Sequence, residues 1–310
     1  MIEIIFLGTS SMQPTKKRNH SAFLLRFKEE NLLFDCGEGT QRQMRIAGIK
    51  PAKITRILIS HWHGDHVFGL PGLLSAMAAD QYKGTLQLYG PPGTKKYFSH
   101  LLQSFASKEL VPVQVHEIEP GVFFEAQDFS LEAELLHHAI PCLGFRFREK
   151  DQRKFILEKI KKLGLQGPVL GRLQRGETIP WQGKKIKPEM VTTLVKGRKI
   201  SYIADTLRCP GAEHLAKDAD LLISEGTHLH ELRESSKRYL HLTVKEAAQI
   251  AKNSKAKKLI ITHLSPRYKD AEKVLQEAQA EFSNSSVAED FLTVRVPKRG
   301  EEKRDKKRIA

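Results

Sequence analysis

The chain reads as an α/β fold with a mixed sheet. Short apolar segments bounded by turn residues come first in pairs, as antiparallel strands do. From residue 200 onward, apolar strands alternate with helix-period segments, the pattern of parallel strands joined by helices. Met1–Leu7, Ala22–Phe27 and Leu32–Phe34 are the opening strands, and Arg56–Ile59 and Leu86–Tyr89 follow around a helix-period run, Leu70–Ala79. Leu131–Leu136 and Gly144–Phe147 are the next strands. Ile200–Ala204, a helix near Ala212–Lys217 and Leu221–Ile223 come after them. In Thr243–Lys252 the apolar positions Val244, Ala247, Ala248 and Ala251 recur at helical spacing behind Thr243, a residue suited to capping. Leu259–Thr262 then reads as a strand and Ala271–Phe282 as a helix. No internal repeat of 20–50 residues is visible.

With 40% hydrophobic and 28% charged residues over 310 positions, the composition suits a globular chain and excludes collagen-like or wholly disordered ones. No apolar run approaches the ~20 residues that cross a bilayer, so no membrane association is expected. Met1–Leu7 lacks a basic leader and a cleavage site, so no signal peptide is expected. Three widely spaced cysteines, Cys36, Cys142 and Cys209, suit reduced thiols and a cytoplasmic location.

The net charge of +15 is unevenly placed. Residues 148–199 hold fifteen Lys/Arg against five Asp/Glu, and residues 297–310 hold seven against three. The rest of the chain is close to neutral. Eight glycines and prolines from Gly164 to Pro188 interrupt the first basic stretch, which suits a projecting arm better than a packed helix pair. Such an arm fits a polyanion, because lysine and arginine contacts to phosphate release condensed counterions. The tail, from Arg295 to Ala310, is almost free of apolar residues and is expected to be disordered.

The densest chemical signal is His61-Trp62-His63-Gly64-Asp65-His66, directly after a strand. Three imidazoles and a carboxylate in six residues cannot converge from a regular strand or helix, but a loop at a strand end lets them fan around ions. Imidazole and carboxylate together suit zinc, and less exclusively manganese or iron. His137-His138, Asp205 and His263 also stand just past strand ends, so one rim of a sheet could gather them. Seven ligands exceed one tetrahedral ion, and a bridging carboxylate would let two ions share them. Two metals can clamp both the attacking and the leaving oxygen of a phosphoryl displacement.

His61–His66, with Phe34-Asp35-Cys36-Gly37-Glu38 before it, resembles the metallo-β-lactamase superfamily. A wider set of motifs is similar to the ribonuclease Z family, the transfer-RNA 3′-processing endonucleases, in its short form. The set includes Phe6-Leu7-Gly8-Thr9, Pro14 with Lys16-Lys17-Arg18-Asn19, Gly69-Leu70-Pro71-Gly72-Leu73, Tyr89-Gly90-Pro91 and Thr262-His263-Leu264-Ser265-Pro266-Arg267-Tyr268. The likeness runs from residue 1 to about 297, arm included.

That resemblance implies a metallo-β-lactamase fold, a four-layer αββα sandwich over residues 1–296, with 148–199 inserted as a flexible basic arm and 297–310 as a tail. It implies two zinc ions per subunit, one held by His61, His63 and His138, the other by Asp65, His66 and His263, with Asp205 between them. His138 is preferred to His137 because Gly144-Phe145-Arg146 lies at the family's spacing from it. Asp65 would also position the attacking water and take its proton. Glu225 and His241 match the family's proton-donating pair for the leaving 3′-oxygen, although Ser224, Gly226 and Leu242 beside them depart from its usual residues. Lys161, Lys162, Gly167 and Pro168 belong to the arm that grips transfer RNA, and Arg18 and Asn19 to a loop meeting the acceptor end. The expected substrate is precursor transfer RNA and the expected assembly a homodimer. Two other readings compete: a small-substrate hydrolase on the same fold, for which the basic arm has no evident use, and an RNA-binding protein with structural metals, which would favour cysteine ligands.

Overall fold

A computed structural model describes residues 1–106 and 111–299. It divides into two compact units. The larger comprises Met1–Glu125, Leu131–Phe147 and Lys199–Pro297. The smaller comprises Ala126–Ser130, Arg148–Arg198 and, among the described residues, Lys298 and Arg299.

The strands in chain order are β1 (Ile2–Gly8), β2 (Ala22–Phe27), β3 (Glu30–Phe34), β4 (Arg56–Leu58), β5 (Leu86–Gly90), β6 (Val113–Glu117), β7 (Gly121–Glu125), β8 (Phe129–Leu136) and β9 (Cys142–Glu149). There follow β10 (Gln152–Phe155), β11 (Ile179–Trp181), β12 (Lys184–Ile186), β13 (Thr192–Val195), β14 (Lys199–Ile203), β15 (Leu221–Glu225), β16 (Leu259–Thr262), β17 (Ser285–Val287) and β18 (Thr293–Val296). One seven-stranded sheet has the order β18-β1-β2-β3-β4-β5-β6, the other β17-β16-β15-β14-β9-β8-β7. Both are mixed. β3 to β6 run parallel in the first sheet, and β14 to β17 run parallel in the second.

The sheets face each other through aromatic side chains. Phe23 meets Tyr202 with ring centroids 5.0 Å apart, Phe27 meets Phe147 at 5.2 Å, and Phe34 meets Phe145 at 5.9 Å. The intervening residues of the same strands, Leu24 and Leu33, join Ile5 and Leu7 in packing outward against Met44, Leu70, Leu73, Leu74, Met77 and Phe98. Burial on both faces explains why these strands read as continuous apolar runs. On the second sheet Pro210–Ala216 packs on β14, Val244–Asn253 on β15 and β16, and Glu272–Glu281 on β17. This is the four-layer arrangement expected. Thr243 caps its helix as the sequence suggests, accepting from the Glu246 N–H while the Glu246 carboxylate accepts from Thr243 N at 2.9 Å.

Three expectations need correction. β6, β7 and β17 are too short or too polar to stand out, and helices Thr40–Ile46 and Thr94–Gln103 also go unread. Arg295 and Val296, assigned to a disordered tail, instead lie in β18, pairing with Glu3 and Ile2. Residues 297–299 belong to no strand or helix, and residues 300–310 lie outside the described residues. The basic arm, finally, is more than a broken loop. β10 pairs with β13, and β11 and β12 form a hairpin whose Gln182 and Gly183 both have positive φ, as a two-residue hairpin turn needs. Leu165, Leu173, Ile179, Ile186 and Val191 give the arm a core of its own.

The two ends of that insert are joined by a buried ion pair. Arg198 is 1% exposed, and its Nε and Nη2 donate to Glu149 Oε2 at 2.7 Å and Oε1 at 3.1 Å. Glu149 N–H donates to the Arg198 carbonyl at 2.8 Å. Removing one partner of such a pair strands the other charge. Arg198→Leu should therefore cost the smaller unit about 3–5 kcal/mol. Hydrogen exchange should show β10 and β13 losing protection while β1 to β3 keep theirs, and equal protection in both would contradict this role.

Candidate active site

The C-terminal ends of the parallel strands in both sheets carry the reactive side chains. Asp35 follows β3, His61 follows β4, Asp205 follows β14, Glu225 ends β15 and His263 follows β16. The loop after β4 returns through the short helix Gly64–Val67, which places Asp65 and His66 back beside His61.

His61 Nε2 lies 3.1 Å from His63 Nδ1, and His138 Nε2 lies 3.2 Å from the same atom. His66 Nε2 is 3.2 Å from His263 Nε2 and 3.6 Å from Asp65 Oδ2. Asp205 stands between the two groups, with Oδ2 3.7 Å from both His61 Nε2 and His66 Nε2 and Oδ1 3.3 Å from His263 Nδ1. All seven expected ligands are thus gathered, as two groups of possible metal-holding residues: His61, His63, His138 and Asp205, and Asp65, His66 and His263. His137 is outside both; it is exposed, and its backbone bridges to Leu207 instead.

The arrangement fits metal ions. Four ligands held at about 2.0–2.1 Å in a tetrahedron lie about 3.3 Å apart, close to the spacings found. Asp205 Oδ1 is buried with no hydrogen-bond donor, as a carboxylate kept for a cation would be. Four of the histidines also have the ring nitrogen away from the cluster engaged. His66 Nδ1 pairs with Asp35 Oδ2 at 2.8 Å, His61 Nδ1 with Ser60 Oγ at 3.0 Å, His138 Nδ1 with the Leu240 carbonyl at 3.1 Å and His263 Nδ1 with Thr227 Oγ1 at 3.0 Å. Such partners fix the tautomer that leaves Nε2 with its lone pair turned to the metal. Burial pushes His61, His63 and His138 below the ordinary imidazole range, which favours the neutral, ligating form. Burial opposes ionisation of Asp65 and Asp205, yet the surrounding histidines hold both carboxylates well below their usual range.

Beside this cluster Glu225, fully buried, accepts from His241 Nδ1 at 3.1 Å. Burial disfavours a charged His241, but Glu225 and then Asp205 outweigh it and the ring is pushed up to about 9. Nδ1 is taken, so Nε2 is the nitrogen free to pass a proton outward.

The structure gives Arg18 and Asn19 partners within the protein. Arg18, expected to meet phosphate from an exposed loop, is 9% exposed; its Nη1 donates to Thr9 Oγ1 at 2.7 Å and to the Ala288 carbonyl at 2.6 Å. Asn19 donates its N–H to Asp290 and its side-chain amide to the Glu38 carbonyl, both at 2.7 Å. Both residues shape the loop, and its tip brings the exposed Met12 to the cluster, where Met12 N–H donates to Asp65 Oδ2 at 2.7 Å. Lys161, Lys162, Gly167 and Pro168 are exposed on the arm. Sequence reasoning gave no role to Asp35, Ser60, Thr227 or Tyr202. Of these, Asp35 carried a signal, its place within the recognised motif.

Residues 2–156 match the family model described as Anti-Pycsar protein Apyc1. That span ends before Asp205, Glu225, His241 and His263. Ribonuclease Z of Microcystis aeruginosa is 41% identical over 97% of this chain and 98% of its own length. The crystal structure of human tRNase Z, short form, is 28% identical, with a TM-score of 0.70 over 95% of this chain and 99% of that one. The metallo-β-lactamase fold protein YhfI of Bacillus subtilis, 19% identical, covers 94% of this chain and 98% of its own with a TM-score of 0.69, a likeness of fold.

The geometry predicts that Asp35→Asn keeps the fold but weakens divalent-metal binding about 10–100-fold, because His66 loses the carboxylate that orients it. Chelator competition on the purified protein reads this directly; unchanged affinity would remove Asp35 from the site.

Proposed function

The chain belongs to the ribonuclease Z family, and from that premise we propose that it cuts the 3′ trailer from precursor transfer RNA using two zinc ions, leaving a 3′-hydroxyl. One observation carries the reading: seven histidine and aspartate donors converge in two adjacent groups, with Asp205 of the first also close to His66 and His263 of the second and a glutamate–histidine pair alongside. His61, His63 and His138 would hold one ion, Asp65, His66 and His263 the other, and Asp205 would bridge them. Manganese or another divalent metal could fill the same oxygen and nitrogen donors. When bound, such a pair supplies an acidified water and a clamp on the phosphate oxygens.

The protein's own groups do the rest. Asp65 takes a proton from the attacking water, and the Met12 N–H on its Oδ2 keeps that carboxylate turned into the site. His241, held in charge and orientation by Glu225, donates a proton to the departing ribose oxygen. Exposed Lys161 and Lys162 on the arm contact the folded RNA by its shape and phosphates, as duplex RNA is usually recognised.

The assembly is a homodimer in which one subunit's arm serves the other's active site, as the family resemblance implies. The location is the cytoplasm. Its transfer-RNA substrate, the three free cysteines and the absence of a helix long and apolar enough to cross a membrane among the described residues all accord with this.

Purified protein incubated with a 3′-extended precursor should cut just after the discriminator nucleotide, and Asp65→Ala should abolish the cut. No product under varied metals would sink the reading. The proton donor has its own test. His241 must be protonated to act, so activity falls as pH rises through its pKa. Glu225→Gln removes the carboxylate that raises that pKa and should shift the alkaline fall of kcat to lower pH; a profile that only drops in height would leave Glu225 a structural role.

A further inference from the structure

The loop tip that reaches the cluster has a strained backbone and little packing of its own. Met12 has φ 52°, a left-handed conformation that residues with a long side chain seldom adopt. Its side chain is 77% exposed and cannot anchor it. The flanks of the loop are tied elsewhere. Thr9 and Ser10 N–H donate to the Asn19 carbonyl at 3.0 and 2.9 Å, and Ser11 N–H donates to the Leu264 carbonyl at 3.0 Å. Met12 itself is held from its two backbone groups. Its N–H donates to Asp65 Oδ2 at 2.7 Å, and its carbonyl accepts from His20 Nε2 at 3.1 Å. Strain of this kind persists only where the surroundings impose it, and it gathers at functional sites.

His20 is well placed to impose it. The residue is 6% exposed and stands at the far end of the loop, just before β2. A Cβ on Gly37 would fall 2.4 Å from His20 Cβ and 2.5 Å from the Asp65 carbonyl oxygen, so the missing side chain lets His20 and Asp65 both close on the same spot. Because a carbonyl can only accept, Nε2 is the donor to Met12. The other ring nitrogen, Nδ1, is buried with no hydrogen-bond partner among the described residues, and Glu38 Oε2 stands 4.0 Å from it. The Met12 carbonyl is therefore what the buried ring is turned to meet.

We propose that His20 is a positioning residue for Asp65: its Nε2–H fixes Met12 in the left-handed conformation that delivers the Met12 N–H to Asp65 Oδ2. The proposal rests on the transfer-RNA reading above, in which Asp65 takes a proton from the attacking water. Without His20 the tip relaxes to an ordinary negative φ, and that rotation turns the Met12 N–H away. The Asp65 carboxylate then loses a donor that aims it. Misplacing a reacting group by an ångström slows the chemical step, so the loss falls on kcat and spares substrate binding.

The test compares His20→Gln, His20→Asn and His20→Leu in the full chain. A glutamine amide can take the place of Nε2 and donate to the Met12 carbonyl, whereas an asparagine amide reaches only as far as Nδ1. Leucine fills the space with no donor. On a 3′-extended precursor the asparagine and leucine variants should lower kcat about tenfold with KM little changed, and the glutamine variant should recover most of the loss. Labelling with 15N-methionine lets the Met12 amide be followed directly. It should exchange with solvent about tenfold faster in the asparagine and leucine variants and near the wild-type rate in the glutamine variant. Equal kcat in the variants with and without the donor, a loss confined to KM, or Met12 exchange that ignores the substitutions would each overturn the assignment. A wild-type protein that leaves the precursor uncut would end the transfer-RNA reading on its own account. The exchange rates, with kcat then read on bis(p-nitrophenyl) phosphate, would still decide for or against His20.

Discussion

The buried carboxylate of Asp35 is the constraint on which the site depends. Its two oxygens accept from four donors: Ser60 N at 2.7 Å, Ser60 Oγ at 3.0 Å, Tyr202 OH at 2.9 Å and His66 Nδ1 at 2.8 Å. Ser60 follows β4, Tyr202 comes from β14 of the opposite sheet, and His66 belongs to the metal cluster. One residue thus ties the gap between the sheets to the orientation of a presumed ligand. Asp35 does this from a left-handed backbone, φ 54°, a conformation that aspartate tolerates better than most residues but that still costs energy. The four hydrogen bonds outweigh that cost, since a buried carboxylate deprived of them would lose far more.

The same logic extends around the cluster. Each engaged histidine is turned by a group from a different segment: Ser60 from the loop after β4, Asp35 from the end of β3, the Leu240 carbonyl from the loop before the Val244–Asn253 helix, and Thr227 from the loop after β15. His263 is itself left-handed, with φ 57°. Metal donors spaced about 3.3 Å apart must be placed to within a few tenths of an ångström. Imidazoles on separate loops reach that precision only because their second nitrogens are pinned. Thr227 is the most economical of these groups, since its hydroxyl lies 3.0 Å from His263 Nδ1 and 2.7 Å from Glu225 Oε2, joining the histidine–aspartate cluster to the Glu225–His241 pair.

Much of this was legible beforehand, and the parts that were not share a cause. The candidate donors were readable because His61, Asp205 and His263 all follow apolar strands, and parallel strands deliver such residues to one rim. Their second partners were not, because Ser60, Thr227 and Leu240 are unremarkable residues until folding brings them within bonding distance. The burial of Arg18 was hidden for a related reason. A basic residue in a polar loop resembles a phosphate contact, and nothing in the surrounding residues reveals that Thr9 and Ala288 will close over it. The arm's charge could be counted, whereas its small core depends on Leu165, Leu173, Ile179, Ile186 and Val191 meeting across turns that composition alone reads as breaks.

The departures from the family's usual residues around Glu225 and His241 illustrate which parts of a site side-chain identity governs. Glu225 Oε1 accepts from the backbone N–H groups of Thr206 and Leu242, at 2.8 and 3.1 Å, besides His241. Its Oε2 accepts from Thr227 N–H at 3.3 Å and Thr227 Oγ1 at 2.7 Å. Leu242 contributes a backbone donor that any residue but proline would supply, while its side chain is wholly buried. Ser224 turns its hydroxyl to the Glu225 carbonyl at 2.9 Å and leaves the carboxylate alone. At Gly226 a methyl group would stand 2.8 Å from Ile261 Cγ2 and 3.3 Å from Val244 Cγ2, so the missing side chain and the bulk of its neighbours are matched. All three differences therefore alter packing around the pair and spare the donors that hold it. Glu225 can keep His241 charged because its other donors are three backbone amides and the Thr227 hydroxyl, none of them supplied by the side chain of a departing residue.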